Sequence, residues 1–279
     1  MRKIVFIFLV LFIVAAAGCA NSVNEADQAF KRGDYRKAVE LYSKVVQNKD
    51  LNAATMAQAH YNLAKSLDKL GRPEDAAEEY KRAIDLEPDN KQVYMDLAET
   101  LDRLGLPDQE SVALQNFLIL EPKNAHAETM LGECYARMGQ FVNARGMFEK
   151  AVQDDPRDPN NFENLGLVYD KLGSSNDAIS AWEKALKLKP DDVSVLQELA
   201  FVYNRLNRNN DSIRIYSKLA QMEPGSAKYH NNLGIAYYNS GMFKQALKEF
   251  DKVLAIDKNY PGAKDAQRLA RNGVLRGRG

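Results

Sequence analysis

A fixed interval of 34 residues constrains the fold of this chain more than any other feature. Glycine recurs at this interval, with asparagine in its place once, and proline recurs at the same interval in a second series. The two series are Gly71, Gly105, Gly139, Gly173, Asn207 and Gly241, and Pro88, Pro122, Pro156, Pro190 and Pro224. Self-similarity of this length indicates a repeat protein. Gly33, which precedes Gly71 by 34 residues plus four insertions, adds an earlier repeat.

The segment from residue 165 to residue 192 shows the pattern within one repeat. A first apolar stripe at i, i+3, i+4 and i+7 is formed by Leu165, Val168, Tyr169 and Leu172. Gly173 follows, where a left-handed residue would end a helix. A second stripe with helical spacing is formed by Ala178, Ala181, Trp182 and Ala185, and Pro190 stops that helix. Each repeat is therefore predicted to be a helical hairpin.

A single hairpin of this kind has more apolar surface than it can cover alone. Neighbouring hairpins must stack to bury it, which produces a continuous core of helix pairs. The sequence thus predicts an all-α fold, a right-handed α-solenoid of about seven helical hairpins, followed by a C-terminal capping helix. We expect that helix to end near Asn272, with a short basic tail after it.

The repeat resembles the tetratricopeptide repeat. The matching residues in the fifth repeat are Phe162, Leu165, Gly166, Tyr169, Ala178, Trp182, Ala185 and Pro190, and in the seventh they are His230, Leu233, Gly234, Tyr237, Ala246 and Phe250. The predicted repeats are 19–56, 57–90, 91–124, 125–158, 159–192, 193–226 and 227–260, and residues 261–279 form the capping helix and tail. Glu110 departs from the pattern, since the family prefers a small residue at its position, and Ser212 fills that position less well than alanine in the sixth repeat.

The N-terminus has the composition of an export signal. Arg2 and Lys3 precede an apolar run of 14 residues from Ile4 to Ala17, which as a helix is about 21 Å long, too short to cross a hydrocarbon core of roughly 30 Å comfortably. The following Gly18-Cys19 resembles the lipobox of bacterial lipoproteins, although Ala16 stands where leucine is usual. The resemblance implies removal of residues 1–18, acylation of Cys19 and an outer-membrane location facing the periplasm in a Gram-negative cell. An uncleaved anchor and plain secretion are the alternatives.

Charge and cysteine content limit the other functional classes. After removal of residues 1–18, 36 basic and 38 acidic residues remain, giving a net charge of −2, which argues against a nucleic-acid binder. Cys134 is the only cysteine besides Cys19, so the mature chain can form no internal disulfide.

The scarce reactive residues do not form a catalytic pattern. His126 and Cys134 are eight residues apart on one predicted helix, about 12 Å along its axis. His60 and His230 occupy the aromatic position of the repeat, where partly buried rings are expected. No metalloprotease, phosphate-loop or nucleophile-elbow motif occurs. We therefore expect no enzyme activity, no cofactor and no metal.

Two columns of polar residues are candidates for partner binding on the first helix of each hairpin, which in this family faces the concave side. The basic column is Lys69, Arg103, Arg137, Lys171 and Arg205, and the amide column is Asn62, Asn164 and Asn232. A cation in the last turn of a helix complements the helix dipole. The acidic residues beside the column, such as Asp68 and Asp170, are unfavourable at a helix C-terminus. Either pairing with a cation of another repeat or contact with a partner must offset their charge.

These features predict a membrane-anchored scaffold of the cell envelope. Its partner would be a protein or an extended peptide held in the concave groove, and its anchor would be the lipid at Cys19. One role is a pilotin-like assembly factor for a secretion or pilus channel, and another is an adaptor for peptidoglycan enzymes or proteases. An envelope hydrolase is a remote alternative.

Overall fold

The computed structural model describes residues 22–277, in which every regular element is a helix. The chain divides into two compact units, Met1–Asp154 and Asp155–Gly279. The N-terminal unit contains α1 over residues 22–31, α2 Tyr35–Val45, α3 Ala53–Lys69, α4 Pro73–Leu86, α5 Lys91–Arg103, α6 Pro107–Leu120, α7 Ala125–Arg137 and α8 Phe141–Asp154. The C-terminal unit contains α9 Pro159–Lys171, α10 Ser175–Leu188, α11 Val193–Arg205, α12 Asn209–Met222, α13 Ala227–Asn239, α14 Phe243–Ile256 and α15 Ala263–Leu275. The predicted all-α fold of stacked hairpins is confirmed.

The residue that closes the first helix of each hairpin has left-handed backbone geometry, as its sequence column predicts. The repeating glycines have φ between +67° and +79°, and Asn207, which takes their place once, has φ +56°. After the first helix of its hairpin, the Arg208 backbone N–H donates to the Tyr203 carbonyl at 2.8 Å. That bond spans the left-handed residue and satisfies a carbonyl at the helix end. The chain then turns directly into the second helix.

A small residue on the first helix lets the second helix approach closely. A Cβ atom added to Gly166 would lie 2.4 Å from Trp182 Nε1, so the indole packs directly on the glycine backbone. Gly132 with Phe148 and Gly234 with Phe250 repeat this arrangement at 2.7 Å. Alanine fills the same position where the opposing residue is tyrosine or leucine, at Ala64, Ala98 and Ala200, all of which are fully buried. The core of each unit is thus built from closely packed helix pairs.

The last helix continues beyond its predicted end. We expected α15 to stop at Asn272, before Gly273, but it extends to Leu275. A Cβ on Gly273 would lie 2.5 Å from Phe243 Cγ, so this glycine serves close packing of α15 on α14 rather than helix termination. Among residues 22–277, no helix combines the length and apolarity needed to cross a membrane.

Candidate functional site

The basic column lies in the last turns of five first helices. Lys69 ends α3, Arg103 ends α5, Arg137 ends α7, Lys171 ends α9 and Arg205 ends α11. Cations at these positions complement the partial negative charge of the helix C-termini. Within each unit they share the surface formed by the first helices of successive hairpins, which we call the first-helix surface.

The arginines of this column pair with aspartates of the preceding repeat. Arg103 Nη2 lies 2.6 Å from Asp68 Oδ1. Arg205 Nη1 donates to Asp170 Oδ2 at 3.2 Å, while its Nη2 bonds to the other carboxylate oxygen. Each pair joins residues 35 positions apart and therefore connects neighbouring first helices. This contact explains how an aspartate is tolerated at a helix C-terminus.

Arg137 has a second role, because it also neutralises a buried carboxylate. Its guanidinium bonds to Asp102 and to Glu110, and Glu110 is only 2% exposed. Burial raises the pKa of the Glu110 carboxyl, and the positive charge of Arg137 opposes that rise. Glu110 replaces the small residue typical of its repeat position, so Arg137 compensates a local departure from the repeat pattern.

The two lysines of the column differ from the arginines. Lys69 and Lys171 are exposed, and neither forms an ion pair within the described residues of its own unit. For Lys69 the sequence explains the difference, since Phe30 occupies the position that holds aspartate one repeat before an arginine. Of the predicted basic column, these two side chains therefore remain available for external contacts.

The amide column makes contacts inside the protein. Asn62 Nδ2 donates to the Tyr42 hydroxyl at 3.1 Å and to Asp27 Oδ1 at 3.3 Å, and its Oδ1 accepts from Gln58. Asn232 makes the corresponding hydrogen bond to Tyr216. Burial raises the pKa of the Tyr216 hydroxyl, and the hydrogen bond from Asn232 offsets part of that rise. Asn164 lies half-buried at the equivalent position of α9. The amide of Asn62 is thus already engaged by the preceding repeat.

In the N-terminal unit, a charged cavity opens on the first-helix surface between α3 and α5. Its volume is about 390 Å³, and its lining residues are Lys65, Asp68, Lys69, Tyr80, Asp96, Glu99 and Arg103. Lys65 Nζ lies 3.6 Å from Asp96 Oδ2, and the same carboxylate accepts from the Tyr61 hydroxyl at 2.8 Å. Lys69 and Glu99 are exposed at its edge. The cavity therefore presents both signs of charge.

In the C-terminal unit, the corresponding surface carries two less polar cavities. One, of about 280 Å³, is lined by Gln197, Glu198, Phe201, Tyr216, Lys228, Tyr229 and Asn232. The other, of about 160 Å³, is lined by Ile235, Tyr238, Phe250, Ala266 and Leu269. Apart from Asn232, our sequence analysis assigned none of these residues to a binding surface. The signal was available, because Leu167, Phe201, Ile235 and Leu269 recur at the 34-residue spacing.

The histidines predicted to be packed rings are buried and bonded to glutamates. His60 Nδ1 lies 2.6 Å from Glu79 Oε2, and His230 Nδ1 lies 2.6 Å from Glu249 Oε2. Each glutamate also pairs with a cation of its own helix, Arg82 or Lys252. These repeated clusters join the two helices of one hairpin.

The two cysteines of the chain are Cys134 and the predicted lipidation site Cys19. Cys134 is fully buried, its Sγ donates to the Pro107 carbonyl at 2.8 Å, and burial raises the pKa of the thiol to about 11. Within residues 22–277, His, Cys, Asp and Glu side chains form no group suited to a metal ion. The predicted lipidation site, Cys19, and the predicted signal peptide lie outside the described residues.

Comparison with known proteins identifies the repeat. The tetratricopeptide repeat family model matches residues 13–263. The C-terminal part of a TPR repeat-containing protein from Cytophaga hutchinsonii has a TM-score of 0.69 and 21% identity, covering 88% of this chain and 98% of that chain. A tetratricopeptide repeat protein from Parabacteroides merdae has a TM-score of 0.57 and 16% identity, covering 91% and 99%.

A third similar structure is YrrB, described as a TPR protein with an unusual peptide-binding site. It has a TM-score of 0.60 and 22% identity, and the match covers 69% of this chain and 99% of that chain. No curated protein gives a significant match. At these identities, the structural similarities establish only the fold. The partner of this chain has to be inferred from the side chains described above.

Proposed function

This chain belongs to the tetratricopeptide repeat family, whose fold is that of a protein–protein interaction scaffold, and we propose that it is a lipid-anchored scaffold of the bacterial envelope. It holds a partner protein or an extended peptide on its first-helix surface. One observation carries the binding part of this proposal. Cavities of about 390 and 280 Å³ on this surface are each lined mainly by residues of two successive first helices, and a third, of about 160 Å³, lies between α13 and the capping helix α15.

The unused charges on the same surface support this role. Lys69 and Glu99 border the cavity of the N-terminal unit, and Lys171 is exposed at the end of α9 in the C-terminal unit. Polar, solvent-accessible side chains of this kind are typical of the rim of a protein–protein interface. The arginines of the basic column contribute indirectly, by fixing neighbouring first helices in register.

The membrane part of the proposal rests on the sequence around Cys19. Residue 22, the first described residue of α1, follows Cys19 by three positions. Three residues reach about 10 Å at most, so an acyl anchor on Cys19 keeps the first hairpin close to the bilayer. A scaffold held in this way suits the assembly of an envelope complex, such as a secretion or pilus channel, where the partner must stay at the membrane.

Lipidation and partner capture are tested together. Mass spectrometry of the mature N-terminal peptide should find an acylated Cys19, and Cys19→Ala should move the protein out of the membrane fraction. Crosslinking of the lipidated protein in its own membranes should yield a specific partner that Cys19→Ala loses or reduces. A 20-residue Gly/Ser spacer inserted after Cys19 should weaken function if proximity to the bilayer matters. An unmodified Cys19, or wild-type protein that captures no partner, would contradict the proposal.

A further inference from the structure

The charge of this chain is unevenly distributed along its length. Residues 243–279 contain nine basic and four acidic side chains, a net charge of +5, whereas residues 19–242 have a net charge of −7. The positive part coincides with α14, α15 and the residues that follow α15. A charge asymmetry of this size indicates that the basic part has its own electrostatic role, such as contact with an anionic surface.

Part of this charge forms a stripe on the exposed face of α15. Lys264, Arg268 and Arg271 are spaced by four and three residues, so they lie on one side of the helix. All three side chains are exposed. Arg268 pairs with Asp265 at 2.8 Å, but both side chains of this pair are 72% exposed, so the contact contributes little to stability. Lys264 and Arg271 form no ion pair within residues 22–277.

The stripe lies on the face that packs against the second helix in the preceding hairpin. One repeat earlier, Gly234 stands in place of Arg268 and packs directly on Phe250 of α14. In α15 this face remains open, since the Arg268 side chain is 72% exposed. A capping helix needs a polar outer face for solubility, but solubility does not require cations, and acidic side chains serve it better. The positive charge of the stripe therefore indicates an anionic ligand.

The contacts between α14 and α15 show that the two helices are antiparallel. Gln267 Nε2 on α15 donates to Asp251 Oδ1 on α14 at 2.6 Å. Further along α15, a Cβ added to Gly273 would lie 2.5 Å from the ring of Phe243, at the start of α14. The residues that precede Asp251 on α14 therefore lie beside the residues that follow Gln267 on α15.

Two lysines of α14 extend the basic area beside the stripe. Lys244 and Lys248 precede Asp251 by seven and three residues, so all three side chains lie on one side of α14. Both lysines are exposed. This side of α14 borders α15, because Asp251 contacts Gln267. We call the combined cations the α14–α15 basic surface, and they are Lys244, Lys248, Lys264, Arg268 and Arg271.

An exposed leucine at the edge of this surface distinguishes between anionic ligands. Leu275 follows Arg271 by four residues, continues the stripe and is 78% exposed. A leucine beside cations can enter the boundary between the headgroups and the acyl chains of a bilayer, where its side chain leaves water. A soluble acidic chain offers it no such apolar phase. The cations together with Leu275 therefore fit a membrane surface better than an acidic polypeptide.

We propose that the α14–α15 basic surface binds the anionic headgroups of a lipid bilayer, as a second membrane contact besides the acyl anchor. Lysine and arginine side chains near an anionic bilayer are attracted by its negative surface potential. The contact is weak and reversible without the acyl anchor, so loss of Cys19 still releases the protein from the membrane fraction. This inference rests on the proposed function, which places the chain at a bilayer.

Sedimentation with lipid vesicles tests the proposal. A chain that begins at Ala20 keeps all described residues, 22–277, and lacks both the predicted signal segment and the acylation site. It should bind vesicles of equal parts phosphatidylglycerol and phosphatidylcholine, and it should not sediment with vesicles of phosphatidylcholine alone. Each cation near an anionic surface contributes about fivefold in affinity, so the triple variant Lys264→Gln, Arg268→Gln, Arg271→Gln should bind about 100-fold more weakly. Circular dichroism should stay native, because all three side chains are exposed.

A matched variant separates this surface from an effect of net charge. The triple variant Lys49→Gln, Lys123→Gln, Lys187→Gln removes the same charge from exposed positions outside the surface, and it should bind vesicles as the unsubstituted chain does. Equal loss of binding in the two triple variants would overturn the proposal. Binding should also disappear between about 0.1 and 1 M salt, because the Debye length falls from about 10 Å to about 3 Å. Binding that persists at high salt, or equal binding to neutral vesicles, would overturn the proposal.

An acidic polypeptide is the alternative ligand, and polyglutamate serves as its probe. At the same concentration of negative charge, polyglutamate should displace the protein from the vesicles only in part. Leu275→Ser should weaken vesicle binding about threefold or more, through lost apolar burial, and leave polyglutamate binding unchanged. Complete displacement by polyglutamate, or equal effects of Leu275→Ser on both ligands, would overturn the membrane assignment.

The vesicle test and the test of the proposed function fail in different ways. The vesicle test uses a chain without an acyl group, so its result does not depend on the modification of Cys19. Absence of binding to the phosphatidylglycerol vesicles overturns only this inference. An unmodified Cys19 in the mature protein, or wild-type protein that captures no partner, overturns the proposed function.

Discussion

The Arg205 guanidinium of one repeat bonds to both carboxylate oxygens of Asp170 in the repeat before it. Bidentate pairs of this kind are stronger than single contacts, and here the arginine offsets an aspartate at the C-terminal end of α9. We predict that Arg205→Gln lowers the free energy of unfolding by about 0.5–1 kcal/mol. Lys171→Gln, at the unpaired position of the same column, should change it by about 0.5 kcal/mol or less. Urea titration measures both, and equal losses would contradict the pairing account.

Arg137→Gln should cost more than Arg205→Gln, because it leaves Glu110 buried without a cation. Removing one partner of a buried ion pair typically costs about 3–5 kcal/mol. Because the Arg137 side chain is nearly half exposed, we expect the loss of unfolding free energy to lie at or below the lower end of that range. Adding Glu110→Ala restores the small residue typical of the position and should recover most of the loss. The same urea titration checks both variants. A double variant no more stable than Arg137→Gln alone would show that Glu110 is not the cause.

Two buried serines form a matched pair for a second stability test. Ser212 and Ser66 are both fully buried, but the Ser66 hydroxyl donates to the Asn62 carbonyl at 2.7 Å, whereas Ser212 Oγ has no hydrogen-bond partner among the described residues. An unpaired buried hydroxyl costs about 1–3 kcal/mol. Ser212→Ala should therefore raise the melting temperature and Ser66→Ala should leave it unchanged or lower it. The opposite order would contradict this assignment.

Glu128 makes the stability of the N-terminal unit depend on pH. It is 2% exposed, its Oε2 has no hydrogen-bond partner among the described residues, and burial raises the pKa of its carboxyl from 4.5 to about 7, with Asp154 adding to the rise and Lys150 opposing it. The folded protein therefore binds this proton more tightly than the unfolded chain. The contribution of Glu128 to stability falls as pH rises from about 4.5 to about 7, and the full penalty remains above that range.

Glu128→Gln removes this titration without changing the size of the side chain. The free energy of unfolding gained by the variant should be larger at pH 8 than at pH 5, by about 1–3 kcal/mol. Urea titrations of both proteins at the two pH values give this difference directly. Glu133→Gln, at an exposed carboxylate on the same helix, serves as the control and should show little change with pH. The same gain at both pH values would contradict the assignment.

The sequence predicts the fold well because the same helical pattern occurs in every repeat. The position of Asn207 in the glycine column predicts a left-handed residue, and its φ of +56° confirms this. The role of Gly273 was not predicted, because a glycine that permits close packing on Phe243 looks the same in sequence as one that ends a helix. The distinction depends on a tertiary contact.

The functional surface is less predictable than the fold. The sequence places Arg103 and Arg205 in the correct column, but a helix pattern cannot state whether a cation faces a partner or an aspartate 35 residues earlier. The column of apolar residues that includes Phe201 and Leu269 was missed because its 34-residue recurrence is shared by the core positions of the repeat. Only their exposure distinguishes them from core residues.

Site-specific photocrosslinking in native membranes shows whether a partner binds the first-helix surface. A photoreactive side chain replaces Glu99 or Phe201 on first helices, and Glu78 or Lys187 on second helices, all of which are exposed positions. We expect the same partner to be crosslinked strongly from Glu99, Phe201 or both, and weakly or not at all from Glu78 and Lys187. Equal crosslinking from all four positions, or crosslinking confined to the second helices, would contradict it.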